Sequence, residues 1–175
     1  MMQDHFQRLG LPRRFSVDEH ELERAYLALS RAIHPDYHLT GLDAELSASL
    51  ELSAALNEAY NTLRDPFARA DYLLTLEGGP SASEHKHLPQ NFLAEMLEAR
   101  EEVEQARGTP AEVMRLDEEF SRRSAAIMEQ VGNAFDRYES LMPEDPQRVN
   151  LQTQIRGLLN AARYIRGLLR DLNAD

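Results

Sequence analysis

Apolar residues recur at spacings of three, four and seven along most of the chain, and strand-like alternation is nowhere sustained. That pattern predicts an all-α protein. A short first segment, His5 to Leu11, has Phe6, Leu9 and Leu11 apolar and is closed by Gly10 and Pro12. Val17 to Ile33 follows with no internal Gly or Pro. It sets Leu22, Ala25, Tyr26, Leu29, Ala32 and Ile33 on one face, and Ser16 with Glu19 has the spacing of a capping box. Arg24 and Arg31, seven apart, share a different, exposed face. Pro35 and Gly41 break the helix. The next helix, from about Ala44 to Leu63, carries Leu46, Leu50, Ser53, Ala54, Asn57, Tyr60 and Leu63. Asp65-Pro66, a cap followed by Pro at the first helical position, opens another helix to Leu76, with Ala70, Leu73 and Leu74 inward.

Gly78 to Ser83 is the clearest linker composition in the chain. It suggests a first domain over 1–77, a linker over 78–87 and a second domain over 88–175. The second domain reads as three long helices: one opened by Leu88-Pro89-Gln90 and running to about Arg107, Pro110 to about Leu141, and Pro146 to about Leu172 with Asp145 as its cap. In the middle helix Phe120, Ile127, Val131, Ala134 and Tyr138 fall mostly at three, four and seven spacing. Short loops between three long helices imply an antiparallel bundle.

Composition narrows the function. The 175 residues include no cysteine, which excludes disulfides, thiolate zinc sites and iron–sulfur clusters ligated by this chain. A net charge of −11 argues against non-specific nucleic-acid binding and suits steering towards a basic partner surface. No run is long and apolar enough to span a membrane, and the start, Met1 to His5, does not look like a signal peptide; a cytoplasmic location is expected. Phosphate-binding glycine loops and serine-nucleophile elbows are absent. His34, Asp36 and His38, or His85 and His87, are too few to complete a metal site, so neither metal nor cofactor is expected.

One tripeptide stands out. His34-Pro35-Asp36 lies between the two amphipathic helices of the first domain. His34 offers a ring donor and acceptor, Pro35 stiffens the backbone, and Asp36 offers a carboxylate suited to a bidentate arginine on a partner. With Phe6, Leu9, Gly10, Leu11, Tyr26, Leu29, Ile33, Asn57, Ala59, Tyr60, Leu63, Pro66, Arg69 and Tyr72, it makes the segment from about Asp4 to Leu76 resemble a J-domain, the helical hairpin of DnaJ-type co-chaperones. The stretch from Asn57 to Pro66, then Arg69 to Leu74, and the helix from Asn91 to Glu102 resemble the HscB subfamily, the co-chaperones of iron–sulfur cluster biogenesis.

The resemblance implies a J-domain hairpin plus a C-terminal three-helix bundle, and a protein that is not itself an enzyme. It implies two partners, an HscA/DnaK-class chaperone ATPase stimulated through the His-Pro-Asp loop and an IscU-type iron–sulfur scaffold bound by the bundle. The chaperone side would use His34, Pro35 and Asp36, with Arg24 and Arg31. The scaffold side would use Leu93, Leu97, Glu98 and Glu101, with Tyr164 beside them. Plain core packing is the competing reading for Leu93, Leu97 and Tyr164. A general folding J-protein is the alternative function, but the Gly/Phe-rich, cysteine-rich or β-domain segments that would mark one are missing. Tyr37 stands where J-domains usually carry Lys or Arg. Ala94 and Gln105 stand where the family often has a larger apolar residue and an acid.

Overall fold

The structure, a computed structural model, describes residues 3–33, 43–85, 88 and 90–174. Among them are seven helices and no strand: α1 (His5–Arg8), α2 (Glu19–Ile33), α3 (Asp43–Arg64), α4 (Pro66–Leu76), α5 (Gln90–Ala106), α6 (Pro110–Ser140) and α7 (Gln147–Leu172). The chain divides into two compact units, Met1–Leu73 and Leu74–Asp175. The all-α class read from the periodicity, and the hairpin-plus-bundle architecture that the resemblance implied, are those of the structure.

In the first unit, Asp4 starts α1 through a capping box: its carboxylate accepts from the Gln7 amide at 2.9 Å, and the Gln7 side chain accepts from the Asp4 amide at 3.3 Å. Partial burial pushes the Asp4 carboxyl up, but the Gln7 amide and the Arg13 guanidinium outweigh it and leave it below its ordinary value. Gly10, at φ +68, lets the chain turn back so that Phe6, Leu9 and Leu11 are all buried. The cap of α2 is Asp18, not Ser16: its Oδ1 accepts from the amides of His20 at 2.8 Å and Glu21 at 3.0 Å. Asp18 stands immediately before Glu19 and reaches those amides directly, whereas Ser16 stands outside the first turn.

Helix α3 is the centre of this unit, with α1 and α2 both packed on it. Its buried side is Ser49, Leu56, Ala59 and Leu63. Leu50, Ala54 and Asn57, part of the apolar spacing in the sequence, are exposed instead. On α2 Leu22 is buried, Ala25, Tyr26, Leu29 and Ile33 are half-buried, and Ala32 is exposed at the stripe's margin. Asp65 caps α4 by accepting from the Phe67 amide at 3.0 Å, and Ala70, Leu73 and Leu74 are buried. Arg69 is buried too. Its Nη1 donates to the Leu63 carbonyl at 2.6 Å, and its guanidinium lies over the Phe15 ring.

The second unit is the bundle of α5, α6 and α7. Its core joins Met96, Ala99, Val103 and Ala106 of α5 to Leu116 and Phe120 of α6 and to Ile165, Leu168 and Leu172 of α7. Helix α6 extends well beyond α5, and there Val131, Ala134, Phe135 and Tyr138 are buried, as are Leu151, Ile155, Leu159 and Ala162 of α7. Residues 77–85 run beside this part of α7. Gln152, Arg156 and Asn160, spaced four apart, donate to the carbonyls of Glu77 at 2.8 Å, Pro80 at 2.7 Å and His85 at 2.7 Å. Arg148 lies 3.8 Å over the Tyr138 ring and donates to the Tyr138 and Leu141 carbonyls, closing the end of α6 with a cation.

Candidate docking surfaces

His34, Pro35 and Asp36 lie outside the described residues. The helices flanking the tripeptide in sequence are held together by specific contacts. The Tyr26 hydroxyl donates to Asn57 Oδ1 at 2.8 Å, Tyr26 stacks on Tyr60 at 4.1 Å between ring centroids, and Arg64 lies over Tyr60. Ser49 Oγ donates to the carbonyl of Ile33, the last residue of α2, at 2.6 Å. These contacts turn the remaining face of α2 outward. Arg24 and Arg31 are exposed there, and Leu27, exposed as well, falls between them at spacings of three and four. Sequence reasoning passed over Leu27 because an isolated Leu off the apolar stripe gives no signal of its own. Glu19 and Glu21 occupy the first turn of α2 and Arg31 the last, so the charges run with the helix dipole.

On the bundle, the buried stripe of α5 is Met96, Ala99, Val103 and Ala106, with Phe92 partly buried against it. Leu93 and Leu97 are not in it. They are 46% and 61% exposed, whereas Met96 is 0% exposed. Helix periodicity puts Leu93, Leu97 and Glu101 in line on one flank, with Glu98 beside Glu101; both acids are exposed. The other flank faces α6. There Arg123 pairs with Glu95 at 2.9 Å and Arg115 with Glu102 at 3.2 Å. The Leu93–Leu97 flank is therefore the one towards α7. Tyr164 of α7 is half-buried and meets Phe92 edge-on at 6.4 Å between centroids. It packs against the bundle core. Ala94 and Gln105 are exposed on α5.

Both halves of the chain match family models. Residues 4–72 match the DnaJ domain, and residues 88–172 match the HSCB C-terminal oligomerisation domain. A co-chaperone protein HscB homolog of Bordetella petrii is 37% identical over 134 residues, covering 76% of this chain and 79% of the relative. The chain belongs to the HscB co-chaperone family. Solved HscB structures agree. Chaperone HscB from Vibrio cholerae superposes with a TM-score of 0.78 at 25% identity, over 97% of this chain and 95% of that one. The human co-chaperone protein HscB shares the fold, with a TM-score of 0.82 at 24% identity over 98% and 81% of the two chains.

The α5 flank has an apolar centre, Leu93 and Leu97, and an acidic edge, Glu98 and Glu101. Among the described residues no three His, Asp or Glu side chains converge as metal ligands would, and no helix is long and apolar enough to cross a membrane.

Proposed function

We propose that this chain is a cytoplasmic adaptor that binds an IscU-type iron–sulfur scaffold and presents it to an HscA/DnaK-class chaperone, whose ATP hydrolysis it stimulates. The J-domain, residues 1–77, takes the chaperone side, with His34, Pro35 and Asp36 in contact and Arg24 and Arg31 flanking them. The bundle, residues 88–175, takes the scaffold side, through Leu93, Leu97, Glu98 and Glu101 of α5 and Tyr164 of α7. The chain performs no chemistry of its own in this scheme. It supplies binding energy that favours the chaperone's hydrolysing state and couples that step to client capture.

The observation that carries the proposal is the exposure of Leu93 and Leu97 beside a fully buried Met96. The bundle has filled its core without them, so two adjacent aliphatic side chains remain available to a partner. Covering both contributes about 2–4 kcal/mol, allowing for their partial burial in the free chain. Calorimetric titration with an IscU-type scaffold tests this. The Leu93→Ala/Leu97→Ala double variant is expected to weaken binding by roughly thirty-fold or more while keeping its helical circular dichroism. Undiminished binding by the double variant sinks the assignment of the patch. On the chaperone side, His34→Gln is expected to abolish ATPase stimulation and to leave scaffold binding unchanged; full stimulation by that variant would remove the tripeptide from the mechanism.

A further inference from the structure

Inside a helix, a hydroxyl side chain can pair with a carbonyl three or four residues back on its own helix. Ser140 does so on Arg137 at 2.7 Å, and Thr153 on Val149 at 3.1 Å. Ser49 uses its one proton differently. Its Oγ donates at 2.6 Å to the carbonyl of Ile33, sixteen residues back and on the neighbouring helix. Ser49 is buried, and it is the polar member of a buried side of α3 otherwise made of Leu56, Ala59 and Leu63. A buried hydroxyl costs stability unless it is paired, so apolar packing gives no reason for a serine at this position.

Its acceptor does give a reason. Ile33 ends α2, and the last four carbonyls of a helix find no amide within that helix. His34 follows directly, and Pro35 after it has no amide hydrogen to offer. A peptide unit is a rigid plane. Whatever holds the Ile33 carbonyl oxygen therefore also holds the plane through which the chain passes into His34. The other side-chain bond between the two helices lies elsewhere. Tyr26 meets Asn57 and Tyr60 about two turns before the end of α2, so it joins the helices without setting the direction of the last carbonyl.

We propose that Ser49 is a positioning residue for His34-Pro35-Asp36. Buried as it is, Ser49 touches no partner. By holding the Ile33 carbonyl it sets the direction in which the tripeptide leaves α2. This rests on the chaperone-stimulating reading above, in which the exposed Arg24 and Arg31 supply docking that does not depend on Ser49. Loss of the hydroxyl then weakens the contact made in the hydrolysing state more than it weakens docking. Such a loss shows in the maximal rate and not in the half-saturating concentration.

The test measures stimulation of an HscA/DnaK-class chaperone ATPase against the concentration of the full chain. The variants are Ser49→Ala, Ser49→Thr, His34→Gln and, as a control, Ala59→Gly. The control weakens α3 at another buried position without removing a side-chain hydrogen bond. Ser49→Ala is expected to lower maximal stimulation roughly threefold or more, with the half-saturating concentration within about twofold of the wild type. Its binding to an IscU-type scaffold should be unchanged. Ser49→Thr keeps the hydroxyl and should recover most of the stimulation. Ala59→Gly should lower the thermal midpoint and keep the maximal stimulation. Wild-type stimulation by Ser49→Ala, no recovery in Ser49→Thr, or an equal loss in Ala59→Gly would each overturn the positioning role. If His34→Gln is inactive while Ser49→Ala is unimpaired, the inference alone falls. If His34→Gln stimulates fully, the tripeptide reading falls and the inference with it.

Discussion

Arg156 Nε donates to the carbonyl of Pro80 at 2.7 Å, from the middle of α7 to a segment rich in Gly, Pro and Ser. The arginine is fully buried, and Gln152 and Asn160 make equivalent bonds one turn to either side. The three donors hold residues 77–85 along α7. Arg156→Met is expected to cost about 2–4 kcal/mol, because it leaves a carbonyl without its donor and removes packing from the arginine stem. Gln152→Ala should cost about 1 kcal/mol. Urea unfolding followed by circular dichroism measures both; equal, negligible losses would show that the ladder contributes little.

Met96 and Leu97 are neighbours in sequence and opposites in environment. Met96→Ala is expected to destabilise the bundle by about 2–5 kcal/mol by opening a cavity. Leu97→Ala should stay within about 0.5 kcal/mol of the wild type and show its effect in scaffold titration instead. A large stability loss in Leu97→Ala would place it in the core and contradict its exposure.

His5 stacks on Tyr72 at 4.2 Å, and its amide donates to the Tyr72 hydroxyl at 3.0 Å. Burial, which disfavours the imidazolium, holds its pKa below the ordinary 6.5; Glu58 and Asp4 pull it up and Arg8 pushes it down, without reversing the shift. The unfolded chain therefore protonates first as pH falls. The contribution of neutral His5 is complete above pH 6.5 and is lost as pH falls through its lower folded value. Between about pH 7.5 and 5.5 the urea midpoint should decline, and His5→Asn should flatten part of that slope. An identical slope in the variant would exclude His5 as a source.

Arg69 of α4 is tied to the end of α3 through the Leu63 carbonyl and to the segment before α2 through the Phe15 ring. Lysine carries the same charge but neither the planar fork nor the stacking face. Arg69→Lys is accordingly expected to lose about 1–3 kcal/mol, most of what Arg69→Ala loses. Wild-type stability in the lysine variant would reduce the role of Arg69 to charge alone.

The sequence by itself determined the helices, because apolar periodicity and breakers are local properties. It located α4 and α6 at their observed starts, and the loss of pattern at Pro and Gly marked the turns. The HscB family was legible in residues scattered through both halves, from Phe6 to Glu102. Other features were decided only by packing. Periodicity shows that a stripe exists but not how wide a neighbour will cover, so it could not tell Leu93 and Leu97 from core residues, nor see that α3 buries Leu56 and Ala59 while leaving Leu50 exposed. The Ser16–Glu19 spacing pointed to Ser16 as the cap, but in the first turn it is the Asp18 oxygen that reaches the free amides. The ladder from α7 to residues 77–85 joins groups that only the tertiary fold brings into relation. Sequence records which side chains are available. Burial and partner choice depend on the surfaces that meet them, and those exist only once the helices have packed.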